Sequence, residues 1–138
     1  MRRAVVLRLG GVPVDATLGA LAAAGFEAVA INRPGELRAQ VEAGAAAVVL
    51  ADAEAERIVE HFAVLATMPP ALRRGCVVLA VAPGFVTGDG LRAFTLGADV
   101  VVSPQDLPQL GELVSAAAAC KRMLVAPLDA AAAARLGP

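Results

Sequence analysis

Short, almost wholly apolar runs alternate along this chain with longer stretches whose apolar residues recur every three or four positions. Five runs read as strands: residues 4–9 (AVVLRL), 27–31 (EAVAI), 46–51 (AAVVLA), 76–82 (CVVLAVA) and 100–103 (VVVS). Between the first two, Leu18, Leu21 and Ala22 share one face of a helix that Asp15 caps and Gly25 ends. Asn32 as a cap and Pro34 in the first turn predict a second helix to about residue 43, with Leu37 and Val41 facing inward. Ile58, Phe62 and Leu65 predict a third over residues 53–67, stopped by Met68-Pro69-Pro70. A short fourth helix is expected over residues 87–96, and Asp106 is the expected cap of a fifth that runs to about residue 124. The strands lack polar alternation, so both of their faces must be covered. That pattern predicts an α/β fold with a parallel sheet between two helical layers, joined by right-handed crossovers. Residues 1–125 read as one domain. Residues 126–138, alanine-rich and closing on Gly-Pro, read as a tail, either an extra helical turn or a linker.

Composition narrows the function classes. The 138 residues are 58% hydrophobic and 18% charged, with a net charge of −1. That is enough chain for one domain with a substantial core and too apolar for a disordered one. Without Trp or Tyr, the core must be built from Val, Leu and Ala. A near-neutral surface argues against nucleic acid, which demands a basic face. No stretch reaches the roughly 18 apolar residues of a membrane span, and Arg8 cuts the first apolar run too early for a signal peptide. A cytoplasmic protein with no membrane insertion is expected. Cys76 and Cys120 are too few for a disulfide framework and, lying in apolar runs, are expected as reduced, buried thiols. The single histidine, His61, has no partners for a zinc site and is expected on a helix surface. No metal and no cofactor is expected.

In an open parallel sheet, chemistry gathers at the carboxyl ends of the strands. Those positions carry Gly10 and Gly11, Asn32 and Arg33, Asp52, Pro83 and Gly84, and Ser103 and Pro104. Asp52 is the one carboxylate of the set. It has two readings: a cap for the third helix, or a phosphoacceptor or metal ligand. Mg²⁺ usually takes more than one carboxylate, and the first strand end supplies none. Gly10-Gly11 lacks the following Gly-x-x-x-x-Gly-Lys of a phosphate loop and reads as a plain turn.

The run Leu96-Gly97-Ala98-Asp99-Val100-Val101-Val102-Ser103-Pro104, followed by Asp106-Leu107 and apolar Leu110 and Val114, resembles the closing segment of bacterial response-regulator receiver domains. The third strand ending at Asp52 resembles the receiver strand that ends in the phosphorylated aspartate. The resemblance spans about residues 3–124. It implies a flavodoxin/receiver-like three-layer sandwich with strand order 2-1-3-4-5 and five helices. The chain departs from the family where the chemistry lies. The family's acidic pair is replaced by Arg8-Leu9-Gly10-Gly11, and its strand-four hydroxyl residue by about Val81. Ser103-Pro104 stands where Lys-Pro is expected, and the single lysine, Lys121, falls in the last helix. Val101 replaces the aromatic switch residue. Phosphoryl transfer needs charge neutralisation by metal and cation, so Asp52 reads as a vestigial phosphoacceptor.

The resemblance thus implies a non-catalytic pseudo-receiver that binds a protein partner without phosphorylation. By the same analogy its interaction face comprises Arg92, Thr95, Val101, Gln109 and Glu112. One alternative is a small-molecule or nucleotide binder, with a pocket at Gly10, Gly11, Pro83, Gly84 and Ser103. Another is an atypical phospho-receiver using Asp52. No nucleophile–base pair points to a hydrolase or transferase. A homodimer through residues 116–119 of the last helix is a further expectation, since alanines allow close helix approach.

Overall fold

The computed structural model describes residues 2–9 and 13–137. Five parallel strands form one sheet in the order β2-β1-β3-β4-β5. They are β1 (Arg2–Arg8), β2 (Phe26–Ile31), β3 (Ala45–Ala51), β4 (Val77–Val81) and β5 (Val100–Val102). The order is the one the resemblance implied. Every residue of the central strands β3 and β4 is buried, which is why their sequences show no polar alternation. Successive residues still part to opposite faces. Val5, Leu7, Val48, Leu50, Val78 and Ala80 join one apolar cluster. Ala4, Val6, Ala47, Val49, Val77 and Leu79 join the other.

Seven α-helices stand where five were expected, among the described residues. α2 (Leu37–Glu42), α3 (Ala55–Ala66) and α5 (Gly90–Leu96) cover the first face through Leu37, Val41, Ile58, Phe62, Leu65 and Ala93. α1 (Asp15–Ala23) and α6 (Leu110–Val125) cover the second through Leu21, Leu110, Val114 and Ala118. Gly111 lets these two helices meet. A Cβ there would lie 2.4 Å from that of Ala24. The first unexpected helix is α4 (Pro70–Arg74). The Pro69-Pro70 pair that ends α3 also starts α4, because proline's fixed φ suits the first helical turn. The other additional helix is α7 (Ala130–Arg135), within the stretch read as either an extra helical turn or a linker. It buries Ala132 and Ala133, is capped by Asp129, and is followed by Leu136, which reaches the second cluster.

Helix starts differ from the sequence reading for local reasons. Asp15 opens α1 without a side-chain cap. Arg33 rather than Asn32 precedes the 3-10 turn Pro34–Glu36 that leads into α2. Asp89 caps α5, so that helix begins at Gly90 and not at residue 87. Ser103 rather than Asp106 caps the 3-10 segment Pro104–Gln109, and the internal Pro108 delays α6 to Leu110. Cys76 is buried, whereas Cys120 is exposed on α6, contrary to the expectation of two buried thiols. Its apolar neighbours are alanines on a helix only one face of which meets the sheet.

Candidate functional site

Asp52 follows the last residue of β3 and is 2% exposed, a buried carboxylate at the carboxyl end of the sheet. It is not the N-cap of α3, whose cap position is held by Glu54 without a side-chain bond. Both of its oxygens are instead engaged by its own chain. Oδ1 accepts from the Glu54 backbone N–H at 3.0 Å and from Arg57 Nη2 at 3.1 Å. Oδ2 lies 3.2 Å from His61 Nε2. Arg57 and His61 are four apart on α3, so both point from one helix face toward the same carboxylate. His61 is therefore not a free surface residue, its side chain being 14% exposed. Burial pushes the Asp52 carboxyl up. The Glu54 hydrogen bond, the His61 contact and the Arg57 charge outweigh it, and the net direction is down. The carboxylate stays ionised because the fold supplies the charge and donors it needs.

Sequence reading missed this cluster, although one signal was present. An arginine and a histidine at helical spacing directly follow the strand-end aspartate.

Asp52 itself lines a cavity of about 450 Å³, together with Pro13, Thr17, Pro83, Pro104 and Leu107 among others. Of the expected pocket residues, Pro83 lines it. Gly84 is an exposed turn glycine at φ +87, and Ser103 is turned to cap Gln105. Gly10 and Gly11 lie outside the described residues. The β4–α5 and β5–α6 connections are tied together above this cavity by Thr87. Its Oγ1 donates to Asp106 Oδ2 at 2.5 Å and accepts from the Ser103 N–H at 2.8 Å.

The motif behind the family resemblance holds the opposite end of the sheet. Gly97, at φ +84, ends α5 in the left-handed conformation that favours glycine. Asp99 Oδ2 accepts from the Val78 N–H at 2.8 Å and from Lys121 Nζ at 3.0 Å. Lys121 also donates to the Cys76 carbonyl at 2.7 Å. These groups precede β4 and β5, so the single lysine serves the amino ends of the strands and not Asp52.

No protein-family model matches the chain, and no curated protein matches it. Among solved structures it is similar to a CheY-like protein, TadZ, from Pseudomonas aeruginosa PAO1. The TM-score is 0.65 and the identity 21%, over 85% of this chain and 99% of that one. The fold is receiver-like. At this identity the likeness shows architecture and not activity.

On that receiver-like frame the expected interaction face is partly exposed. Arg92, Thr95, Gln109 and Glu112 face solvent. Val101 does not. It is fully buried in the first cluster, because the middle residue of a three-residue strand pointing at α5 has no route to the surface. The same surface carries residues the sequence reading passed over: Val86, Leu91 and Phe94 are 69%, 77% and 85% exposed. Leu91 and Phe94 are three apart on α5 and so share a face. Of the helix alanines expected at a homodimer contact, Ala116 and Ala119 are exposed, while Ala118 is buried against the sheet. No helix among the described residues is long and apolar enough to cross a membrane.

Proposed function

We propose that this chain is a non-catalytic, phosphorylation-independent protein-interaction module on a receiver-like scaffold, acting in the cytoplasm. The observation that carries the reading is that both Asp52 oxygens are engaged by side-chain and backbone groups of its own chain. A phosphoacceptor must present a free oxygen to the incoming phosphorus and must have a metal and a cation to neutralise the charge that develops. Here one oxygen is bonded by Glu54 and Arg57 and the other faces His61, within a side chain that is 1% exposed. The Arg57 guanidinium takes the neutralising role, and the aspartate becomes a structural node.

The surface that would meet a partner is α5 and its flanks. A Leu and a Phe more than three-quarters exposed on a short helix form an apolar contact patch. Arg92, beside them, lies over the Phe85 ring at 5.2 Å, which fixes a charged rim. The test is thermal unfolding with Mg²⁺ and beryllofluoride, the phosphoryl mimic, together and separately. No shift is expected. A shift that needs both additives and disappears in Asp52→Asn would refute the reading.

The cavity beside Asp52 favours a second reading, a small-molecule site. It has the volume of a small ligand and is walled mainly by Pro, Ala, Val and Leu. A ligand retained through purification, detected by mass spectrometry of the denatured protein, would favour this reading over the first.

A further inference from the structure

The chain carries a second concave site, at the other end of the sheet. A cleft of about 350 Å³ lies between the start of β1 and α6, lined by Arg2, Ser115, Ala118, Ala119, Arg122 and Leu136, with Gly137 at its edge. We propose that this cleft binds an oxyanion, with Arg2 and Arg122 as the two cationic contacts.

Both guanidiniums are held in place before any ligand arrives. Arg2 lies over the Phe26 ring at 4.7 Å and donates through Nη1 to the Leu136 carbonyl at 3.3 Å. Arg122 donates through Nη1 to the next carbonyl, that of Gly137, at 3.2 Å. The two are thus anchored to consecutive carbonyls, and both line the cleft. Gly137 turns the chain here at φ +116, a conformation that favours glycine. No Asp or Glu lines the cleft, and neither arginine belongs to an ion pair among the described residues.

Two like charges fixed in a concavity repel, and an anion between them removes that cost. A guanidinium has five N–H donors in a rigid fork, so each arginine keeps donors beyond the one it gives to a carbonyl. That fork matches the paired oxygens of phosphate or carboxylate. Ser115, seven residues before Arg122 on α6, adds a hydroxyl on the same face. The shared chemistry is an oxyanion carried by a small molecule, either a phosphate monoester or a carboxylate. The site lies at the amino ends of the strands and does not depend on the reading of Asp52.

The probe is inorganic phosphate, titrated at constant ionic strength against chloride and followed by ³¹P linewidth and by thermal unfolding. Saturable binding is expected. Arg2→Gln and Arg122→Gln should each weaken it about tenfold or more, since each removes a charged hydrogen-bonding group. Arg122→Lys, which keeps the charge but loses the fork, should fall between. Arg38→Gln, on the exposed pair with Glu42, should bind as the parent does. Replacing phosphate with acetate distinguishes the two sources. Binding of both marks a general oxyanion site, and binding of phosphate alone marks a phosphate site. Absence of saturable binding in the parent chain, or equal binding by the parent and all four variants, overturns the proposal.

Discussion

Replacing Asp52 by alanine tests whether the strand-end aspartate is a structural node. The substitution removes three accepted contacts at once: the Glu54 N–H, Arg57 and His61. The Glu54 hydrogen bond is worth about 1 kcal/mol, and the donor is left without its partner. The His61 contact, on a side chain 14% exposed, adds about 1.5 kcal/mol, the lower end for a hydrogen bond to a charged group. Arg57 is 44% exposed and turns to water when its partner is lost, so its share is discounted to about 0.5 kcal/mol or less. The sum is about 2–3 kcal/mol. For a domain of this length each kcal/mol moves Tm by about 3–5 °C, so a fall of roughly 10 °C is expected. Asp52→Asn keeps an acceptor for Glu54 and should lose about half as much. The assay is a calorimetric or dye-based melt, supported by urea denaturation to check that the slope is unchanged. An Asp52→Ala chain that melts within about 2 °C of the parent would show that the three contacts carry no net stability. A raised Tm would be worse for the reasoning. It would mean that the buried charge is a burden the fold tolerates, as at an aspartate kept for chemistry.

Other perturbations address other parts of the molecule. The folded Asp52 carboxyl titrates below the usual aspartate range, so its stabilisation is present above about pH 4 and is lost as pH falls through the lower folded value. The Tm gap between parent and Asp52→Asn should therefore narrow on acidification, and a gap that widens as pH falls would contradict the linkage. Lys121→Met cuts the tie between the amino ends of β4 and β5, where Lys121 is 17% exposed. A loss of about 1–3 kcal/mol is expected by urea denaturation. Gly111→Val drives a side chain into Ala24 at the α1–α6 contact. It should cost about 1–3 kcal/mol or more, read the same way. Phe94→Glu, at a position 85% exposed, should leave stability within about 0.5 kcal/mol while abolishing capture of any partner that docks on α5. Partner binding that survives would move the interface elsewhere.

The sheet was legible in the sequence because its information is local and redundant. Each of five valine-rich runs is bounded by turn residues, and the absence of polar alternation already implies helices on both faces. Helix starts were less legible. Whether Asp89 or Thr87 begins α5, or Ser103 rather than Asp106 opens the segment before α6, depends on which neighbouring N–H a short side chain reaches. α7 was hidden for a different reason. Its run of alanines has no amphipathic pattern, and it is held by long-range contacts: Arg74 to Asp129, Arg135 to the Ala71 carbonyl, and Arg2 to the Leu136 carbonyl. The position of Asp52 could be read from the strand pattern, but its partners could not. Pairing it with His61 requires knowing that α3 folds back over the carboxyl end of β3, a tertiary fact. Val101 shows the reverse error. A family correspondence placed it on a surface, and burial by α5 removed it.

The two ends of the sheet make opposite use of their charges. At the carboxyl ends, where open parallel sheets usually keep their chemistry, the one acidic group is closed off by an arginine and a histidine from the next helix. The family motif's own aspartate and the lone lysine are spent on binding the amino ends of β4 and β5. Asp52 and Lys121, the ionic groups on which the resemblance bears most directly, thus each have structural partners. Two surfaces do not. One is the apolar patch of Leu91 and Phe94, exposed among the described residues. The other is the cleft that Arg2 and Arg122 line beside α7, with no carboxylate among its described lining residues. The two proposals therefore place contact with other molecules at an apolar helix face and a cationic cleft, and leave Asp52 to the fold.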